Sequence, residues 1–168
     1  EMCIRDRPEL TPGEVTVRVR ATGICGSDLL MNVDKTEPDE IPFGHEVSGE
    51  IVEVGAGVEP SLVGQRVAVE TIGQGLACTK CWYCRQGHYR QCVNKAENQG
   101  GGFAQYMKRR AIGCYPLPES LSWEEGAFVE PLAVSDHTVR RGQMRGGERV
   151  DELGSGSIGL TAVLAARA

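Results

Sequence analysis

Residues 77–92, ACTKCWYCRQGHYRQC, place Cys78, Cys81, Cys84 and Cys92 in one short polar stretch with almost nothing apolar to bury. The spacing is C-x2-C-x2-C-x7-C. In a reducing compartment, cysteines with two-residue gaps are metal ligands more often than disulfide partners. Four thiolates satisfy the tetrahedral, closed coordination of a structural zinc and leave no position open for chemistry. Such a centre carries a net charge of about −2, which Lys80, Arg85 and Arg90 of the same loop offset, and Gly87 allows the chain to turn back to Cys92. Metal binding replaces the missing core, contributing on the order of 10 kcal/mol of local folding free energy. The competing readings are two disulfides or loose surface thiols. His88 sits inside the loop, but the four cysteines already fill the shell, so it reads as a solvated histidine.

The rest of the composition narrows the class. The chain is 40% hydrophobic and 24% charged, as in an ordinary globular protein. Its 168 residues include 22 glycines, close to twice the average share of ~7%, which favours a turn-rich, mainly β architecture. The net charge of −5 and the lack of a long basic run weigh against nucleic acid as a partner. No apolar stretch is long enough to span a membrane. The N-terminal EMCIRDRPEL lacks the apolar core of a signal peptide, and its first seven residues read as a junction or non-native segment. The expected location is cytoplasmic.

Short alternating segments carry the β signal. EVTVRVRATGI (14–24) puts Val15, Val17, Val19 and Ala21 on one face of a half-buried strand. HEVSGEIVEVGAG (45–57), GQRVAVE (64–70) and GGGFAQYMKRRAIGCYPLP (100–118) supply further strands bounded by Gly and Pro. Together they predict a barrel-like β domain interrupted by the zinc lobe. After Pro118 the character changes. Ser122 before Trp123, Glu124 and Glu125 marks a helix start, and Pro131 suits the first position of a second helix that ends on Arg140 and Arg141. The final segment, GERVDELGSGSIGLTAVLAARA, reads as a short strand, then Gly154-x-Gly156-x-x-Gly159, then a helix. In that context the glycines match a dinucleotide fingerprint, in which the pyrophosphate approaches backbone N–H groups at a helix N-terminus. A first strand of this kind is normally apolar throughout, and here Asp151 and Glu152 interrupt it.

Four more residues have metal-binding chemistry: Cys25 at a strand end, His45 and Glu46 at a strand entry, and Glu130 at an extended position before Pro131. Singly these have bland readings, Cys25 as a small core residue, His45 as a hydrogen-bonded loop histidine and Glu130 as a helix-capping acid, and no local spacing rule connects them. Cys3 lies in the non-native segment, Cys114 in a strand, and His137 on a helix with a structural or surface role.

The motifs GICGSD, GHEVSGEIVEVG, the four-cysteine loop, GGFAQY, EPLAV and the glycine fingerprint occur together and in the order found in zinc-dependent medium-chain dehydrogenases. From about Pro8 to the C-terminus the chain resembles that family, in its sorbitol, threonine and polyol dehydrogenase branch. The resemblance implies a GroES-like barrel domain over residues 8–130 carrying the structural zinc lobe 77–92. Residues 131–168 would then be a linking helix and the truncated start of an α/β Rossmann cofactor domain. It implies two Zn2+ per subunit, one catalytic and one structural, and NAD or NADP. By the same resemblance Cys25, His45 and Glu130 match catalytic zinc ligands, and Glu46 matches an acid that ligates the metal or lies beside it. Ser27 matches the hydroxyl that accepts the substrate proton, Cys78, Cys81, Cys84 and Cys92 the structural zinc ligands, and Gly154, Gly156 and Gly159 the cofactor turn. Leu30 stands where many relatives carry a histidine at the outer end of the proton relay.

The expected reaction is oxidation of a secondary alcohol of a polyol, vicinal diol or β-hydroxy amino acid, with hydride passing to the nicotinamide. The ligand set leaves zinc one position for a substrate hydroxyl. The expected partners are a small alcohol or polyol and further copies of the full-length chain. This chain alone is expected not to turn over alcohol. Two other readings are a zinc alcohol or sugar dehydrogenase of another specificity and a non-enzymatic zinc-binding module.

Overall fold

The computed structural model describes residues 9–31, 44–96 and 101–168. Cys3 and the segment 1–7 lie outside the described residues. Five antiparallel strands form one sheet: β1 (Glu14–Gly23), β2 (Glu46–Val54), β3 (Arg66–Glu70), β4 (Tyr106–Arg110) and β5 (Cys114–Pro116), in the order β4-β1-β2-β3-β5. Each falls inside a segment whose alternation marks it as a strand.

The core follows from that alternation. Val15 and Val17 of β1, Val47 and Ile51 of β2, Val67 and Val69 of β3 and Met107 of β4 form one buried cluster, with Val19 packed against it. Burying each such side chain contributes roughly 1.5–3 kcal/mol. Valine and isoleucine suit it because their branched side chains fit a pleated surface. The half-buried reading of β1 needs correction in its first half, where Glu14 and Thr16 are buried as well. β4 pairs with this half of β1 from about ninety residues away. It brings the Lys108 ammonium within 3.4 Å of the Glu14 carboxylate, which also accepts the Thr11 N–H. Thr16 donates to Glu53 on β2.

The four-cysteine lobe is an excursion between β3 and β4. It contains one short helix, α2 (Trp82–Arg85), and a minimal core of Ala77, Cys84 and Cys92. Gly87 takes a φ of +79° at the turn where the sequence requires one. His88 is exposed, as expected.

Between β1 and β2 lies α1 (Gly26–Met31). After β5, α3 (Trp123–Ala127) begins at Ser122 with a reciprocal capping box: the Ser122 hydroxyl accepts the Glu125 N–H, and the Glu125 carboxylate accepts the Ser122 N–H. α4 spans Val129–Arg141 and so starts two residues before the expected Pro131. Proline is tolerated anywhere in the first turn, where its missing N–H has no helical partner. The consequence is functional: Glu130 lies within the first turn of a helix, not in extended chain. α5 (Ser157–Arg167) packs on α4 through Ser135 and Thr161, both fully buried, with their hydroxyls 2.7 Å apart.

The strand expected before Gly154 is absent. Residues 148–156 carry no strand pairing, and Leu153 is 96% exposed. Among the described residues no other strand runs alongside to satisfy its backbone groups, and Asp151 and Glu152 deny it an apolar face.

Candidate metal centres and glycine turn

One sulfur from each of Cys78, Cys81, Cys84 and Cys92 lies within 4.8 Å of all the others. The Cys81 and Cys84 sulfurs are 3.5 Å apart, and those of Cys78 and Cys84 are 3.9 Å apart. A zinc with ~2.3 Å bonds in tetrahedral geometry separates its sulfurs by roughly 3.8 Å, so the cluster fits that ion. All six described cysteines are free thiols, and the sulfur separations are far from a disulfide's ~2 Å.

Backbone donors prepare this site for thiolates. N–H groups of Lys80 and Cys81 pull the Cys78 thiol down to about 6, and those of Cys84 and Val93 lower Cys81. Burial pushes Cys84 up to about 12, helped by the neighbouring sulfurs. A dication resolves the conflict, because it stabilises all four thiolates at once.

The second group joins residues twenty positions apart. Antiparallel pairing sets Gly23, at the end of β1, opposite Glu46, at the start of β2. That register brings Cys25 beside His45 and Glu46, and one donor atom from each lies within 4.8 Å of the others. Gly23 is required for the fit, because a Cβ there would stand 1.9 Å from Glu46 Oε2. A thiol, an imidazole and a carboxylate form a donor set suited to zinc with a position left open.

Asp28 holds the arrangement in place, and sequence reasoning did not single it out. Its carboxylate is buried, accepts the Cys25 N–H at 2.9 Å and the Gly44 N–H at 3.3 Å, and lies 3.5 Å from His45 Nδ1. With Nδ1 turned to Asp28, Nε2 is the nitrogen available to a metal. An aspartate three residues after Cys25, able to cap its own loop, was the available signal.

Glu130 enters the same field from α4. Burial raises its pKa, as do the Glu46 and Asp28 carboxylates, while His45 opposes the shift. The mutual donor group comprises Cys25, His45 and Glu46, with Glu130 facing it electrostatically. Three carboxylates and a thiol around one imidazole create a demand for a cation. Ser27 is exposed in the first turn of α1, two residues from Cys25, and Leu30 is exposed on the same helix.

Two clefts meet at Glu130. One, of about 660 Å³, is largely apolar, with Val47, Val69, Val129, Ala133 and Val134 in its walls. The other, of about 490 Å³, lies between the 70–73 turn, residues 87–91 of the lobe and α4.

At the glycine fingerprint, Gly154 takes a φ of +126° and Gly156 caps α5. Gly159 admits the chain closely, since a Cβ there would stand 1.9 Å from the Gly154 carbonyl oxygen. The glycine turn and the helix after it are therefore formed without the preceding strand. No described helix is long and apolar enough to cross a membrane.

Residues 11–119 match the alcohol dehydrogenase GroES-like domain. The chain is 39% identical over 170 residues to a sorbitol dehydrogenase of Bacillus subtilis (strain 168), covering 96% of this chain and 47% of the relative. Galactitol-1-phosphate dehydrogenase from Escherichia coli superposes with a TM-score of 0.80 at 34% identity, over 97% of this chain and 48% of that one. A protein assigned as a zinc-binding dehydrogenase from Sinorhizobium meliloti 1021, bound to NADP, gives 0.79 at 34% identity over 96% of this chain and 47% of the other. The chain thus spans about half the length of the relatives it matches. With two zinc-type donor groups carried on that GroES-like sheet, the chain belongs to the zinc-dependent medium-chain dehydrogenase family, in its sorbitol dehydrogenase-like branch.

Proposed function

We propose that the full-length protein oxidises a secondary alcohol of a polyol, vicinal diol or β-hydroxy amino acid, passing hydride to NAD or NADP, with one catalytic and one structural zinc per subunit. The observation that carries this reading is the convergence of Cys25, His45 and Glu46 donors at the β1–β2 seam, beside Glu130. Zinc held there by Cys25, His45 and a carboxylate of Glu46 or Glu130 would supply Lewis acidity that lowers the pKa of a substrate hydroxyl.

The protein's own residues do the rest. Asp28 orients the His45 ring and braces the Cys25 backbone, so two ligands stay fixed while a substrate exchanges. Ser27 is the candidate acceptor for the hydroxyl proton, a role supported by its exposed position two residues from Cys25. The N-terminus of α5, with Gly154, Gly156 and Gly159, is the candidate seat of the cofactor pyrophosphate. The NADP-bound neighbour and the sorbitol and galactitol-1-phosphate dehydrogenases support the cofactor type and polyol chemistry. A non-enzymatic zinc module needs only the closed four-cysteine site, which leaves the second donor group without a purpose. Free, metal-ready thiols suit a reducing cytoplasm.

The test is a substrate panel with the full-length protein. Expected are two zinc ions per chain and NAD(P) reduction with polyols, diols or threonine in preference to ethanol. Preference for ethanol would sink the polyol assignment, and one zinc with no turnover would sink the enzyme assignment.

A further inference from the structure

Two histidines stand outside both metal centres: His88 on the four-cysteine lobe and His137 on α4, both exposed. The structure brings them to one cleft, the 490 Å³ space that also takes in Glu70, Thr71, Arg90, Gln91 and Glu130. This cleft is joined to the candidate catalytic centre at two points. Glu130 lines it directly, and the Thr71 hydroxyl donates to the carbonyl of His45 at 3.4 Å. Glu130 thus borders the cleft and also faces His45 and Glu46 of the donor group.

The lining determines what could enter. Arg90 offers donors, Glu70 offers an acceptor, and Gln91 and the two histidines offer both. The Glu70 carboxylate is fixed, because the Tyr115 hydroxyl donates to it at 3.1 Å and the missing Cβ of Gly73 lets it lie against the turn. A phosphate or carboxylate would meet one guanidinium but two carboxylates, Glu70 and Glu130. A run of neutral hydroxyls can use donors and acceptors alike. The other cleft shares Glu70, Glu130 and His137 but lacks His88, Arg90 and Gln91, and valine and alanine make up most of the rest of its wall.

We propose that this cleft is a binding subsite for the distal hydroxylated carbons of a neutral polyol, with His88 and His137 as specificity residues. The proposal rests on the dehydrogenase reading above. It makes the length of the hydroxylated chain, and its lack of charge, the selected properties.

The experiment uses the full-length protein with a hexitol, the corresponding hexitol phosphate and 2,3-butanediol. His137→Leu should lower the ratio of hexitol to butanediol kcat/KM by about tenfold, roughly the worth of one well-formed hydrogen bond, mainly through KM for the hexitol. His88→Leu, on a separate element, should shift the ratio in the same direction, which guards against a folding defect in either variant. Equilibrium dialysis with radiolabelled hexitol should show weaker binding to both variants whether or not turnover occurs. An unchanged ratio and unchanged hexitol binding in both variants would overturn the subsite while leaving the dehydrogenase reading intact. Preference of the wild type for the phosphate would also overturn it. A wild type that oxidises none of the three, and binds no hexitol, overturns both.

Discussion

The carboxylate of Asp28 lies 3.5 Å from Nδ1 of His45 and accepts the backbone N–H of Cys25, so one buried group braces two candidate ligands. It does so from a different element than either: α1 carries Asp28, the preceding turn Cys25, and the approach to β2 His45. An amide in its place removes the negative charge that fixes the ring and replaces one of the two accepting oxygens with an NH2 donor. Asp28→Asn should weaken zinc at this centre about 10- to 100-fold and leave the four-cysteine centre at full occupancy. Chelator competition followed with a zinc indicator resolves the two affinities.

Gly23 and Gly26 offer a paired test of the same site. A Cβ at Gly23 would fall 1.9 Å from Glu46 Oε2, whereas one at Gly26 meets nothing within 4 Å. The obstructed atom is the far end of a flexible side chain, so the fold can yield by moving the carboxylate. Gly23→Ala should therefore cost little stability, under about 1 kcal/mol, yet displace Glu46 and reduce zinc binding at the Cys25 centre. Gly26→Ala should leave the metal in place. Thermal melts and zinc analysis of the two variants together decide it; equal zinc content would remove Glu46 from the centre.

The four-cysteine lobe is predicted to depend on its metal. Its apolar core is no more than Ala77 with the ligands themselves and the flank of Tyr89, so little else opposes the entropy of ordering it. Cys92→Ser should release one zinc per chain and raise hydrogen exchange across residues 77–96, while β1–β4 stay protected. Retention of both zinc ions in the variant would refute the assignment.

Thiol reactivity supplies an independent check. In the folded lobe N–H groups of Lys80 and Cys81 hold Cys78 near 6, and chelation, by loosening the lobe, exposes it and its neighbouring cysteines as accessible thiols. Cys114, pushed up to about 12 by burial, is almost entirely protonated at pH 7.5. After chelation iodoacetamide should modify the lobe cysteines, Cys78 among them, before Cys114, and zinc should protect the lobe cysteines. Peptide mass mapping over a time course gives the order.

What could be read from the sequence was what neighbours along the chain determine. The lobe is local, with four cysteines within fifteen residues, and its spacing alone predicts the sulfur cluster that the structure shows. The strand faces of Val15, Val17, Val47 and Val67 followed from period-two alternation. The burial of Glu14 and Thr16 did not, because β4, which pairs with that half of β1, arrives about ninety residues later. The grouping of Cys25 with His45 and Glu46 depends on strand register, which no local spacing encodes; family resemblance supplied it, and the β1–β2 pairing explains it. The expected strand at 150–153 failed for the opposite reason. A glycine motif suggested a strand that Asp151 and Glu152 weaken and that has no neighbour to pair with among the described residues. The bias against helix before proline predicts extended chain at Glu130, yet the first turn of a helix tolerates proline and Glu130 lies in α4.

That helical placement of Glu130 leads to the last prediction. On the first turn of α4, Glu130 faces the field of His45, Glu46 and Asp28 and lines both clefts. A carboxylate here makes the proposed centre harder than one with a second thiolate and more tolerant of additional oxygen ligands. A substrate with neighbouring hydroxyls could be held by two oxygens at once, which favours hydride transfer from one defined carbon. Glu130→Cys retains a metal-binding atom but removes that tolerance. In the full-length protein it should lower kcat/KM for polyols by about tenfold or more, the equivalent of one lost hydrogen-bond contact in the transition state, while zinc content falls far less. Ethanol, with a single hydroxyl, should lose less than the polyols. Equal losses on ethanol and polyols would mean that Glu130 acts only by retaining the metal, and parallel zinc analysis of the same samples separates the two outcomes.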